Sequence, residues 1–306
     1  MEKFNLTSRL GWIPDWPDLR DKSAEDDEIS PRLMRLGQRD SIKKMKAQLN
    51  PGEKSGNSLP ATVDLTKWFS PAKDQGNLGS CTANAAASLV EYFENRAFGK
   101  YLEPSRLFLY KSARNLLHQT GDSGAFLRSI MGALVLFGAP PEEYWPYDET
   151  AFDNEPTPFC YAYAQNYQAL TYYRLDLPGT SPALLLNSIK QNLSTSLPLM
   201  FGFTVYQSIN QSISNRGLIP FPGKGEKVEG GHAVVAAGYD DNKKICNQGL
   251  KSAETTGAIL IKNSWGTGWG EEGFGWLPYE YILKGLAIDW WSLLKNEWVD
   301  TGNFDS

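Results

Sequence analysis

Gln75-Gly-Asn-Leu-Gly-Ser-Cys81-Thr-Ala-Asn84 leads into a run in which Ala83, Ala86, Ala87, Val90 and Phe93 recur with helical rhythm as far as Phe98, with Gly99 just past the end. Good helix formers closed by a glycine predict a helix that Cys81 opens. Further helical patterns cover Pro104 to Leu117 and Phe126 to Phe137, so the first half of the chain reads as mainly helical. After about residue 170 the texture changes to short apolar runs bounded by Gly, Pro, Asn or Asp: Leu197 to Tyr206, His232 to Tyr239, Ala258 to Lys262 and Phe274 to Pro278. These are strand signals, interrupted by one expected helix at Pro182 to Leu193. A helix-rich half followed by a strand-rich half predicts an α+β protein of two lobes.

The bulk properties narrow the function. With 41% hydrophobic and 21% charged residues, the 306-residue chain has ample core material and is globular in composition. A net charge of -5 gives no overall basic field, which sets nucleic acid aside as a partner. The longest apolar candidate, Ile130 to Pro141, is too short for a membrane span. Met1 to Arg20 lacks the basic-then-apolar order of a secretory signal, which favours the cytoplasm, with a secreted or lysosome-like compartment as the alternative. Cys81, Cys160 and Cys246 allow at most one disulfide. A monomer is expected.

Residues 1–58 differ from the rest and read as an appendage. Ser30-Pro31 is a helix-start signal, and Ile42, Met45 and Leu49 place one apolar face on a second short helix that Pro51-Gly52 would stop. The segment is either a linker with a surface helix or a self-blocking prosegment.

Cys81 is the natural nucleophile, because unsatisfied N–H groups at a helix N-terminus favour a thiolate. Its imidazole partner comes from two histidines. His118 lies late in a helical pattern, where a surface role suffices; His232 follows Gly230-Gly231 and opens a strand, which suits a base. Asn263 ends the run Ala258-Ile-Leu-Ile-Lys262 and is placed to orient that base. Gln75 can aim an amide N–H at an oxyanion together with the Cys81 N–H. Two isolated histidines and no Cys-x-x-Cys leave no metal site, and the chemistry needs no cofactor. Cys160 and Cys246 read as structural.

Taken together, Gln75-Gly-Asn-Leu-Gly-Ser-Cys81, Gly231-His232-Ala-Val and Ile261-Lys-Asn-Ser-Trp-Gly-Thr-Gly-Trp-Gly270 resemble the papain and cathepsin family of cysteine peptidases, in the order Cys, His, Asn. The resemblance implies a papain-like fold, with a helical lobe (about 59–170) carrying Cys81, a β-barrel-like lobe (171–306) carrying His232 and Asn263, and an active-site cleft between them. Leu59-Pro-Ala-Thr-Val resembles the family's mature start, which makes 1–58 a possible inhibitory segment. Gly124-Ala125-Phe126 resembles the stretch whose backbone pairs with substrate and whose next residue walls the S2 pocket; Gly231 and Trp265 are grouped with it as substrate-binding. Departures stand at Leu78 and Ala125, where the family commonly has Cys and Gly, at Thr82, where it has Trp, and at Gly231, where it often has Asp.

The expected function is therefore a cysteine endopeptidase acting on peptide or protein substrates through a thioester acyl-enzyme, made as a zymogen. A transpeptidase or ligase with the same triad and a catalytically silent binding protein of the same fold are the alternatives.

Overall fold

The computed structural model describes residues 9–49, 58–168, 171–249 and 254–304. The expected stop at Pro51-Gly52 lies outside them. Helices α1 (Pro31–Arg35) and α2 (Ile42–Leu49) belong to the N-terminal arm. The Ser30 hydroxyl caps α1 by accepting from the Leu33 N–H, and Ile42, Met45 and Leu49 are buried, so the apolar face of α2 packs on the body.

The helical lobe follows strand β1 (Thr62–Asp64) and consists of α3 (Cys81–Phe98), α4 (Arg106–Leu116), α5 (Leu127–Phe137) and α6 (Pro158–Ala164). Gly99, left-handed at φ 68°, ends α3, a conformation glycine adopts without Cβ strain. Nearly the whole length of α3 is buried, because it lies between the other helices and the sheet.

Strand β2 (Thr171–Arg174), helix α7 (Pro182–Ser194), strands β3 (Leu199–Tyr206), β4 (Val228–Cys246), β5 (Glu254–Lys262) and β6 (Phe274–Pro278), helix α8 (Tyr279–Leu283), strand β7 (Ala287–Leu294) and helix α9 (Asn296–Val299) complete the chain. The strands form one antiparallel sheet in the order β2-β7-β3-β4-β5-β6, and β1 pairs with β4. The α+β architecture of two lobes thus agrees with the sequence reading, while β1, β2 and β7 are strands that the reading had not marked. Among the described residues no helix is long and apolar enough to cross a membrane.

Two segments cross between the lobes. β1 joins the sheet from the helical side, and beyond β7 the chain returns to α3, where Trp298 stacks on Phe93 at 5.0 Å and donates its indole N–H to Glu94 at 2.8 Å. Buried Glu91 and Lys262 also link the lobes, at 4.0 Å, with the Ser70 hydroxyl accepting from the Lys262 ammonium at 2.9 Å and donating to Glu91. Trp298 is 2% exposed, so Trp298→Ala should cost about 3–5 kcal/mol. Urea unfolding will show this as a lower midpoint at unchanged slope.

Candidate active site

Cys81 and Asn263 stand at element ends, His232 lies within β4, and Gln75 lies in the loop that leads into α3. Cys81 is the first residue of α3, and Ser80, the residue before it, makes no side-chain cap because its hydroxyl shares a 2.6 Å hydrogen bond with Tyr147. The first-turn N–H groups therefore remain turned to the thiol rather than to a capping oxygen. Gly79 N–H donates to both carboxylate oxygens of Asp122 at 3.0 and 3.1 Å, which holds the turn that enters the helix.

His232 lies on β4, paired with Phe203 of β3, and Asn263 directly follows β5. The two meet through a 2.7 Å hydrogen bond between His232 Nε2 and Asn263 Oδ1. Asn263 Oδ1 also accepts from the Ser264 N–H at 2.8 Å, which fixes the oxygen, not the amide nitrogen, toward the ring. The ring must then carry its proton on Nε2, leaving Nδ1 as the basic nitrogen. Trp265 stacks on His232 at 4.8 Å, and Trp269 meets Trp265 edge-on at 5.5 Å, so two indoles screen the His–Asn bond from water.

Gln75 is fully buried and belongs to the same construction. Its backbone N–H donates to Ser264 C=O at 2.9 Å, its Oε1 accepts from the Ser264 hydroxyl at 2.5 Å, and its amide donates to Leu78 C=O at 2.7 Å. A second donation, at 3.0 Å, goes to the backbone carbonyl of Arg9.

That last bond shows what fills the cleft. The arm runs through it as an extended strand: Gly11 C=O accepts from Ala125 N–H at 2.9 Å, Ile13 N–H donates to Ala125 C=O at 3.2 Å, and Trp12 N–H donates to Gly231 C=O at 3.2 Å. Gly124, at φ 73°, cannot gain a side chain, since its Cβ would lie 2.3 Å from Gly11 O. Gly124, Ala125 and Gly231 thus contact the arm directly. Phe126 precedes α5 as its N-cap residue, and Trp265 serves the histidine ring.

Residues Arg9 to Ile13 were missed in the sequence, as was Asp289 of β7, whose Oδ2 accepts the Trp12 indole N–H at 3.1 Å. The only signal was Gly11-Trp12-Ile13-Pro14, an aromatic flanked by residues of extended chain, inside a segment read as appendage. Further along, Arg128 makes a bidentate pair with Asp21 at 2.9 and 2.7 Å and a second pair with Asp15 at 2.5 Å. Arg174 N–H donates to Lys22 C=O at 2.8 Å, and Asn296 binds the Arg39 N–H at 2.8 Å and the Asp40 carboxylate at 2.9 Å.

Covered this way, the two central groups are held neutral. Burial pushes the Cys81 thiol up to about 11, only partly opposed by the N–H groups of Ala233, Gly11, Thr82 and Cys81 itself. The expectation of a helix-start thiolate is thus reversed in this closed arrangement, because desolvation outweighs the helix N-terminus. Burial likewise lowers His232 to about 4, against the raising effect of Asn263.

The geometry accords with the comparisons. The profile of the papain family cysteine protease matches residues 59–282. The chain belongs to the papain family of cysteine proteases. Over its whole length it is 30% identical to an uncharacterized peptidase C1-like protein of Acanthamoeba polyphaga mimivirus, of which 93% is covered. It is also 30% identical to papain of Carica papaya, over 74% of this chain and 56% of papain. Among solved structures it is similar to xylellain, a cysteine protease from Xylella fastidiosa, with 33% identity, a TM-score of 0.70 and coverage of 96% of this chain and 99% of that one. Similarity to the mimivirus protein extends through the arm as well as the papain-family region.

The lowered His232 value has a direct consequence for stability. The unfolded imidazole binds a proton near 6.5 and the folded one only near 4, so stability is full above 6.5 and is lost as pH falls through that window. Asp289, raised to about 6 mainly by burial, acts in the opposite sense over part of the same range. The histidine contribution is isolated by subtracting the melting curve of His232→Gln: the parent should lose more stability than the variant between pH 6.5 and pH 4.

Proposed function

We propose that this papain-family chain is a cysteine endopeptidase in which Cys81 attacks the peptide carbonyl, His232 takes and returns the proton, Asn263 orients His232, and Gln75 donates to the oxyanion, and that residues 1–58 hold it latent. The observation that carries the reading is the Arg9 carbonyl oxygen resting on the Gln75 amide at 3.0 Å while the neighbouring backbone pairs with Ala125 and Gly231. A backbone carbonyl occupying the oxyanion donor is what a scissile carbonyl would do.

In the reaction, the Cys81 Sγ–H proton passes to His232 Nδ1 as sulfur bonds to the carbonyl carbon. The tetrahedral oxyanion is met by the Gln75 amide and the Cys81 N–H. His232 then gives the proton to the leaving amine, and water hydrolyses the thioester with the same ring as base.

The arm escapes this fate by direction. Trp12 pairs with Ala125 in parallel, and the residue in the pocket follows the carbonyl at Gln75, whereas a P2 residue precedes the scissile bond. The arm therefore lies backwards along the cleft. Solved structures of the same fold include procathepsin L 3 of Tenebrio molitor larval midgut, at 20% identity and a TM-score of 0.56, a proform that fits a latent reading.

The test is intact-mass analysis after brief exposure to a peptidyl epoxide. The full chain should label slowly, Trp12→Ala at least about a hundredfold faster because a buried indole no longer anchors the arm, and Cys81→Ala not at all. Equal rates for the parent and Trp12→Ala would remove the latency, and absence of any adduct would remove Cys81 as the nucleophile. In the Trp12→Ala background, Gln75→Ala should lower kcat for a peptide amide about 10²–10³-fold with KM little changed.

A further inference from the structure

The pocket that receives Trp12 is built for an indole in its shape, its hydrogen bonding and its charge. The first is shape. Gly202 of β3 and Gly231 of β4 form its floor under the ring: a Cβ at Gly202 would lie 1.9 Å from the indole Cε2, and one at Gly231 would lie 2.7 Å from Cε3. A flat bicyclic ring thus lies directly on sheet backbone.

The second reason is a buried acceptor at the end of the pocket. Asp289 is fully buried, at φ 66°, and its backbone N–H is fixed at 2.7 Å on Asp176. Its Oδ1 is already occupied by the Trp291 indole N–H at 2.6 Å and faces Arg174 at 3.4 Å. Oδ2 is turned into the pocket and takes the Trp12 indole N–H. A pocket occupant without a donor leaves that buried oxygen unpaired, which is costly.

The third reason is charge. With the arm seated, Asp15 and Asp21 of the arm lie on Arg128 and Arg174 of the body. Without the arm, the groups that remain around the pocket end are Asp289 and Asp176 against Arg174 and Arg128, two charges of each sign. A balanced cluster gives a cationic side chain no net attraction to offset its desolvation, whereas a neutral N–H donor satisfies Oδ2 at little cost.

We infer that Asp289, with Gly202 beneath the ring, makes this site select peptides carrying tryptophan at the position that enters the pocket. The inference rests on the proposal that Cys81 is the nucleophile of this cleft and that substrate places its P2 side chain where Trp12 lies. The arm, though reversed, carries the preferred side chain of the substrate class.

The same geometry says what Asp289→Asn does. Trp291 donates to Oδ1 and the Arg174 guanidinium faces it at 3.4 Å, so the amide oxygen turns to that side and the NH₂ faces the pocket, donor against donor. Asparagine tolerates the left-handed backbone at this position.

The test uses the full chain with Trp12→Ala, labelled by peptidyl epoxides identical except at P2: tryptophan, its sulfur isostere 3-benzothienylalanine, which has the same shape but no N–H, and arginine. The rate of Cys81 adduct formation is read by intact mass. The tryptophan probe should react about tenfold faster than the isostere and faster than the arginine probe, and in Trp12→Ala/Asp289→Asn the first advantage should fall to about one. Equal rates for tryptophan and isostere in Trp12→Ala, with Cys81 labelled, overturn this inference alone. A faster arginine probe overturns it in favour of charge recognition, and absence of any adduct overturns it together with the nucleophile assignment. If the Asp289→Asn chain does not fold, the ratio in Trp12→Ala decides by itself.

Discussion

Removal of water from Cys81 and His232, both fully buried, is the constraint from which the rest of the site follows. A thiolate facing an imidazolium is two charges, and a dry cleft disfavours both. Cys81 sits at a helix start whose N–H groups would stabilise the anion, and His232 has a firm acceptor in Asn263, yet burial holds the thiol high and the ring low. Each device that favours ionisation is already in place. The arm places the Gly11 N–H beside the thiol and the Arg9 carbonyl beside His232 and Gln75, but burial outweighs these contacts and keeps both groups uncharged.

The hold of the arm is spread over interactions of different kind. In the cleft it is backbone hydrogen bonding, to Ala125, Gly231 and Gln75, and makes no demand on arm side chains. At Trp12 it is shape and one indole N–H; over α5 and β2 it is paired charge at Arg128 and Arg174; at α2 it is buried Ile42 and Met45. The Arg128 and Arg174 pairs are buried or partly buried, so salt screens them less than it would exposed pairs. Opening the cleft and detaching the arm are therefore separable events, because the cleft strand and α2 are held by different physics.

The sequence made the frame of the site readable because the frame depends on local signals. A helix opened by Cys81, a strand signalled at Gly231-His232, though it starts earlier at Val228, and an apolar run ended by Asn263 each carry their own punctuation, and the lobes follow from them. The covering strand had no such signal: apart from the Trp12 indole and the Arg9 guanidinium, Arg9 to Ile13 bind through backbone atoms, which any residues possess. Strand β7 was hidden for another reason. Ala-Ile-Asp-Trp-Trp-Ser-Leu-Leu is buried on both faces, so it shows no alternation, and Asp289 within it reads as a surface residue until the sheet closes around it. The reversal of the Cys81 shift was equally out of reach, since it depends on what lies over the thiol rather than on what flanks it.

Asn296, at the start of α9, fastens Arg39 and Asp40 of the arm, and Asp289 lies only a few residues before it. During synthesis the arm precedes every surface that holds it, and the contacts from β7 and α9 are added after those from Gln75, Ala125, Arg128 and Arg174. A ribosome-bound chain that lacks β7 also lacks the far end of the Trp12 pocket and the final anchor, although Cys81, His232 and Asn263 have already been made. Strand β7 and helix α9 thus set the moment at which the hold on the arm becomes complete, and the interval in which Cys81, His232 and Asn263 exist without that hold is the time taken to add the stretch from Asn263 to Asn296.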